Sequence, residues 1–181
     1  MRSLSVLMLS AVLFLASCSE DDIKPIQADC KKTLSELTTY QPKTINVSPR
    51  DGFTNVLTGY FKGGVLKFAV VESQTPSERK MDEFFFDGED VEYIRKTVYK
   101  FNRPTTITPE IAKQLSDTVA YDPTKTKVTV SHYYFYHERM IQWTMPDGKN
   151  MDPDNKKFDF EKRVCLNDVR RLKEMIGEKS N

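Results

Sequence analysis

One pattern, occurring three times, does most to limit what this chain can fold into. YYFYHERMIQW at 133–143 reads as an aromatic strand, a tight reversal and a second apolar strand. FFFDGEDVEYI at 84–94 aligns with it without a gap: Phe85 and Phe86 fall on Tyr134 and Phe135, Val91 on Met140, Tyr93 on Gln142 and Ile94 on Trp143. GYFKGGVLKF at 59–68 reads as a third copy with one residue fewer in its turn. Aromatic and β-branched residues flanking Gly- and Asp-containing turns mark β-hairpins, and self-similarity marks a repeated supersecondary unit. The position held by Gly63 and Gly88 is taken by His137 in the third copy. It calls for a positive φ, so His137 is expected to be a turn residue.

The rest of the chain predicts helices packed on this sheet. Ile26, Cys30, Leu34 and Leu37 share a helical face over Ala28–Tyr40, which Pro42 ends. Thr44–Asp51 shows little periodicity, and Pro49 with Asp51-Gly52 marks a turn. The strand from Val91 to about Phe101 is long enough to invite a bulge. Thr108-Pro109-Glu110 is a helix start, predicting a short helix to about Ser116 with Ile111, Leu115 and Val119 as its apolar stripe. A last helix is expected over Phe160–Ile176, capped by Asp159, stopped by Gly177, and lined by Cys165, Val169, Leu172 and Ile176. The expected fold class is α+β: an antiparallel β-meander of about three hairpins, with six or more strands, strongly curved or barrel-like. A C-terminal helix and one or two short helices pack on it.

The N-terminus has a different layout. After Arg2 comes the apolar run LSVLMLSAVLFLA, then small residues before Cys18, which is the pattern of a secretory leader. Leu15-Ala16-Ser17-Cys18 resembles the bacterial lipobox. That resemblance implies removal of residues 1–17, diacylation of Cys18 on sulfur with further acylation (palmitate) on its new amine, and attachment to a membrane through this lipid alone. Ser19-Glu20-Asp21-Asp22 is similar to the acidic export signal of Bacteroidota surface lipoproteins, which implies the outer membrane and display at the cell surface. In other Gram-negative bacteria, Ser after the acylated Cys implies an outer-membrane lipoprotein facing the periplasm. Residues 18–28 then read as the acylated Cys and an acidic tether, and 29–181 as one globular domain.

Roughly 160 residues beyond the leader suffice for one core. Loss of Arg2 with the leader takes the formal net charge from +1 to zero, so nothing in the charge favours nucleic acid. Cys30 and Cys165 both fall on apolar helix faces in a compartment that permits disulfides, and a bridge between them is expected.

Candidate sites are few. His132 shares a strand face with Val130 and Tyr134, and His132, Tyr134 and Trp143 are the residues expected to meet a ligand. Asn150, Asp152, Asp154 and Glu161 occupy positions 1, 3, 5 and 12 of an EF-hand-like loop, hard oxygen ligands suited to Ca²⁺. Asn155 stands where that loop needs Gly, Lys157 where it needs an apolar residue, and a strand rather than a helix precedes it. Asp117-Thr118-Val119 resembles the Bacteroidota O-glycosylation sequon, with Thr118 as acceptor. Asn46-Val47-Ser48 fits the eukaryotic N-glycosylation triplet, which a bacterial lipobox makes irrelevant. Neither a serine-hydrolase elbow nor a zinc HExxH motif occurs. The expectation is a lipid-anchored cell-envelope protein that binds a protein or glycan partner and is not an enzyme. The alternatives are a small-ligand carrier resembling lipocalins in architecture, and a small envelope enzyme using His132.

Overall fold

A computed structural model describes residues 20–47 and 54–177. The leader, Cys18 and Ser19 lie outside the described residues, as do Ser48, Pro49 and Asp51-Gly52. Seven strands form one antiparallel sheet in chain order: β1 (Gln41–Val47), β2 (Thr54–Lys62), β3 (Val65–Gln74), β4 (Glu78–Asp87), β5 (Asp90–Lys100), β6 (Lys127–Tyr136) and β7 (Arg139–Thr144). The meander is as expected, but the sheet is open, with β1 and β7 as its edges. No closed barrel encloses a lipocalin-like interior. Both faces are covered in part by helices: α1 (Glu20–Glu36) on one side and α3 (Lys156–Ile176) on the other.

The three hairpins share one device. In each, the register slips by one residue within an aromatic pair, between Tyr60 and Phe61, Phe85 and Phe86, and Tyr134 and Phe135. The extra residue is Lys67, Glu92 or Ile141. The bulge that the length of β5 invited is therefore at Glu92 and belongs to the repeat. Phe61 pairs with Leu66, Phe86 with Val91 and Phe135 with Met140. The first copy thus has a turn of the same length as the others, not one residue fewer. His137 has φ 46°, beside 60° at Gly63 and 58° at Gly88, and is the turn residue the alignment predicts.

Alternation divides the aromatic pairs between two cores. On the α3 face Phe84, Phe86, Ile94, Tyr133 and Phe135 pack against Phe158, Cys165, Val169, Leu172 and Ile176. On the α1 face Phe68, Phe85 and Tyr134 pack against Ile23, Ile26 and Cys30. Tyr60, Phe68, Phe85, Tyr93 and Tyr134 are successive cross-strand partners from β2 to β6. Their neighbouring ring centroids lie 5.5, 4.8, 5.4 and 5.0 Å apart. Aromatic pairs at these spacings contribute about 0.5–1.5 kcal/mol each beyond burial, so the ladder is a stiff bed for α1.

Several boundaries differ from expectation. Residues 20–28 are the first half of α1, not a tether, because Ile23, Ile26 and Cys30 continue one helical stripe; Leu34 points outward instead. Gln41–Val47 forms edge strand β1 although Pro42 and Lys43 give it little periodicity, since an edge needs only one set of partners. The short helix α2 (Pro109–Gln114) is capped by Thr108 as predicted, yet it buries Ala112 and leaves Ile111, Leu115 and Val119 exposed. Helix α3 starts one turn early because Asn155, rather than Asp159, caps it, its Oδ1 accepting from Lys157 N at 3.0 Å; Gly177 ends it at φ 80°.

The expected disulfide is absent. Cys30 and Cys165 are free and buried in the two separate cores, with the sheet between them.

Candidate functional site

Helix α1 lies over the aromatic ladder, next to the last two hairpin turns, with Ile23, Ile26 and Cys30 packed on its rings. The next cross-strand row away from the ladder runs Thr58, Val70, Glu83, Arg95, His132, Thr144. The row beyond it runs Val56, Glu72, Met81, Thr97, Val130. A third contains Arg79, Tyr99 and Val128. Most of these side chains are half-buried, so the rows form a polar shelf beside α1.

The shelf is internally paired. Glu83 is only 5% exposed although it is ionisable. Arg95, its direct cross-strand partner, grips it with two donors: Nε bonds one carboxylate oxygen and Nη2 the other, the latter at 2.6 Å. This side-on fork directs Nη1 away from the carboxylate. Arg79 bonds Glu72 at 2.6 Å and lies over the Tyr99 ring, 5.6 Å from its centre. His132 stacks on Tyr93, and its Nδ1 shares a 2.6 Å hydrogen bond with the Tyr93 hydroxyl, leaving Nε2 for other partners. Burial, aided by the Arg95 charge, holds the His132 pKa below its ordinary value, so the ring is neutral at pH 7.

The three residues expected to meet a ligand do not come together. His132 is on the shelf. Tyr134 is buried in the ladder, its hydroxyl accepting from Gln27 Nε2 at 3.1 Å. Trp143 lies on the opposite face, stacked on Tyr133, with its Nε1 buried and without a hydrogen-bond partner. The residues that adjoin His132 are Arg95, its cross-strand partner, and Tyr93; Glu83, bound to Arg95, stands one strand further on, and Tyr99 two rows along the sheet. Their signal was in the sequence as alternation: the face that carries Phe85 and Tyr93 near the turns carries Arg79, Glu83, Arg95 and Tyr99 further along the same strands.

The calcium loop is not assembled. Asn150 Oδ1 accepts from the Thr144 hydroxyl at 2.8 Å, Asp152 Oδ1 from Asp154 N at 2.9 Å, and Asn155 caps α3. Glu161 is within α3 and turns to the sheet, accepting from the Tyr133 hydroxyl at 2.9 Å. Among the described residues no group of His, Cys, Asp or Glu is placed to hold a metal ion. Thr118 is exposed, and the Asp117 carboxylate before it accepts from Val119 N and pairs with Arg103.

Two other clusters complete the chemistry. Under α3, Lys96 bonds Asp168 at 3.0 Å and lies 4.0 Å from Glu161; burial pushes the neighbouring Asp82 carboxyl up to about 6 against the pull of Lys96. Beside the N-terminal half of α1 is an open cleft of about 670 Å³ between α1 and the last two hairpin turns. Ile26, Val91, Phe135 and Ile141 line it together with Asp29, Asp87, Asp90 and Glu92. Burial, with Asp29 and Asp87 nearby, raises the Glu92 carboxyl to about 7. Among the described residues the His132 side chain is hydrogen-bonded to Tyr93, and no helix is long and apolar enough to cross a membrane.

Comparison with protein-family models, with curated proteins and with solved structures finds no match to this chain.

Proposed function

We propose that this is a lipid-anchored cell-envelope protein whose work is binding, and that the shelf beside α1 is its binding surface. The observation that carries the binding half is the shelf itself: polar groups fixed by pairing with one another and partly exposed on the sheet beside α1. The neutral His132 is held by Tyr93 rather than poised against a nucleophile, which favours recognition over catalysis.

The anchoring half rests on Leu15-Ala16-Ser17-Cys18 and the acids that follow. Helix α1 starts at Glu20, two residues past Cys18, so no more than about 7 Å of chain separates an acyl group on Cys18 from the folded domain. The domain would sit against the bilayer through its first helix, not swing on a tether. Ser19-Glu20-Asp21-Asp22 favours the outer membrane and the cell surface. Thr118, exposed in the connection before β6, is a glycan acceptor on the same reading.

The test is Cys18→Ala in cells that make the protein. The natural chain should fractionate with membranes and incorporate palmitate, and the variant should do neither. A variant that still labels and still sediments with membranes would refute the anchor. Protease treatment of intact cells separates the surface from the periplasm, since a protected protein contradicts display.

A further inference from the structure

We infer that the shelf takes a neutral oligosaccharide. This rests on the proposal that the shelf is the binding surface, and adds the class of ligand.

The first ground is charge. The charged strand residues on this half of the face are Glu72, Arg79, Glu83 and Arg95, and each is bound to another of the four. His132 adds no charge at neutral pH. The surface therefore offers nothing to neutralise a phosphate backbone, an anionic lipid, or an acidic or basic peptide. Prying Arg95 and Glu83 apart to meet an ionic ligand would leave the nearly buried Glu83 uncompensated.

The second ground is polarity. A sheet face that awaits a helix or a second copy of the chain reads as apolar, as the ladder under α1 does. Here Val56, Val70, Met81 and Val130 are interleaved with hydroxyls and ion pairs, so a dry apolar partner would strand polar groups.

The third ground is the kind of hydrogen bond on offer. Nη1 of Arg95 and Nε2 of His132, on neighbouring strands, point away from their protein partners, while the hydroxyls at the ends of the row are already bonded, Thr58 to Thr44 and Thr144 to Asn150. Sugar hydroxyls both donate and accept, so they can meet carboxylate oxygens, guanidinium hydrogens and hydroxyls without displacing any ion pair. The apolar faces of the sugar rings have half-exposed partners in Tyr99 and His132. From Thr58 on β2 to Thr144 on β7 the row crosses five strand spacings, about 24 Å, enough for a linear chain of several sugars.

The experiment is calorimetry on the full chain in detergent with four neutral probes, maltohexaose, cellohexaose, mannohexaose and chitohexaose, and two charged ones, hexagalacturonate and hexalysine. Saturable binding of at least one neutral probe is expected. It should weaken at least tenfold in His132→Ala and in Tyr99→Ala, both checked by circular dichroism, and persist in Arg139→Ala, which alters only the separate cleft. Arg95→Lys should weaken it too, because lysine cannot reproduce the fork. Binding of a charged probe alone, lost in His132→Ala, overturns the sugar while leaving the shelf as the surface. Sugar binding that survives both His132→Ala and Tyr99→Ala overturns the shelf. Heat with none of the neutral probes overturns the inference.

Discussion

Cys30 and Cys165 stand on opposite faces of one sheet, each closed into its own core. Burial pushes the Cys165 thiol up to about 12 and raises that of Cys30 as well, so both are protonated and unreactive in the native state. The full chain carrying Cys18→Ala should show two free thiols once denatured, and alkylate slowly when folded. Denatured, unreduced protein with no free thiol would mean that the bridge forms, which this fold does not permit.

Glu92 is the extra residue of the second bulge, and it faces Asp29 of α1 with Asp87 close by. A carboxyl raised from its ordinary range to about 7 in the folded state holds its proton where the unfolded chain has lost it. Stability from this group is therefore present below about pH 4.5, falls as pH rises to about 7, and stays low above. The site is partly open to water, which limits the effect to about 1 kcal/mol after screening. Glu92→Gln should raise the denaturation midpoint at pH 8 and leave it unchanged at pH 4. An equal shift at both values would show that charge is not the cause.

Gly59 lies on β2 under the end of α3, and a Cβ there would collide with Cδ1 of Ile176. Ile176 is fully buried, and its neighbours limit where it can go. Gly59→Ala should cost about 1–3 kcal/mol in urea denaturation. Ile176→Val removes the colliding methyl, so the double variant should be less destabilised than the sum of the two single changes. Simple additivity would place the strain elsewhere.

The hairpins were legible in the sequence because their signal is local. Phe85-Phe86 and Tyr134-Phe135 sit at fixed distances from their turns, and the demand for a positive φ at His137 follows from alignment with Gly63 and Gly88. The allocation of faces was not legible. The stripes of Cys30 and Cys165 look alike, and only the meander's registry sends one helix to each side, which removed the disulfide. Pro25 and the acids of residues 20–22 resemble a tether and hide the first half of α1, although acids also suit a helix's first turn. Strand β1 is hidden because Pro42 and Lys43, which suit an exposed edge, erase the alternation that identifies a strand. The neighbourhood of His132 is illegible for a related reason. His132 shares a strand face with Tyr134, whereas its contacts, Arg95 and Tyr93, come from the next strand.

The lipid anchor is tested most directly by the mass of the N-terminal peptide of the protein purified from its own membranes. The mature chain should begin at Cys18 and carry diacylglycerol on its sulfur together with an amide-linked acyl chain, followed by unmodified Ser19 and Glu20. An N-terminus elsewhere, or a Cys18 without lipid, would contradict a domain held at the membrane by α1.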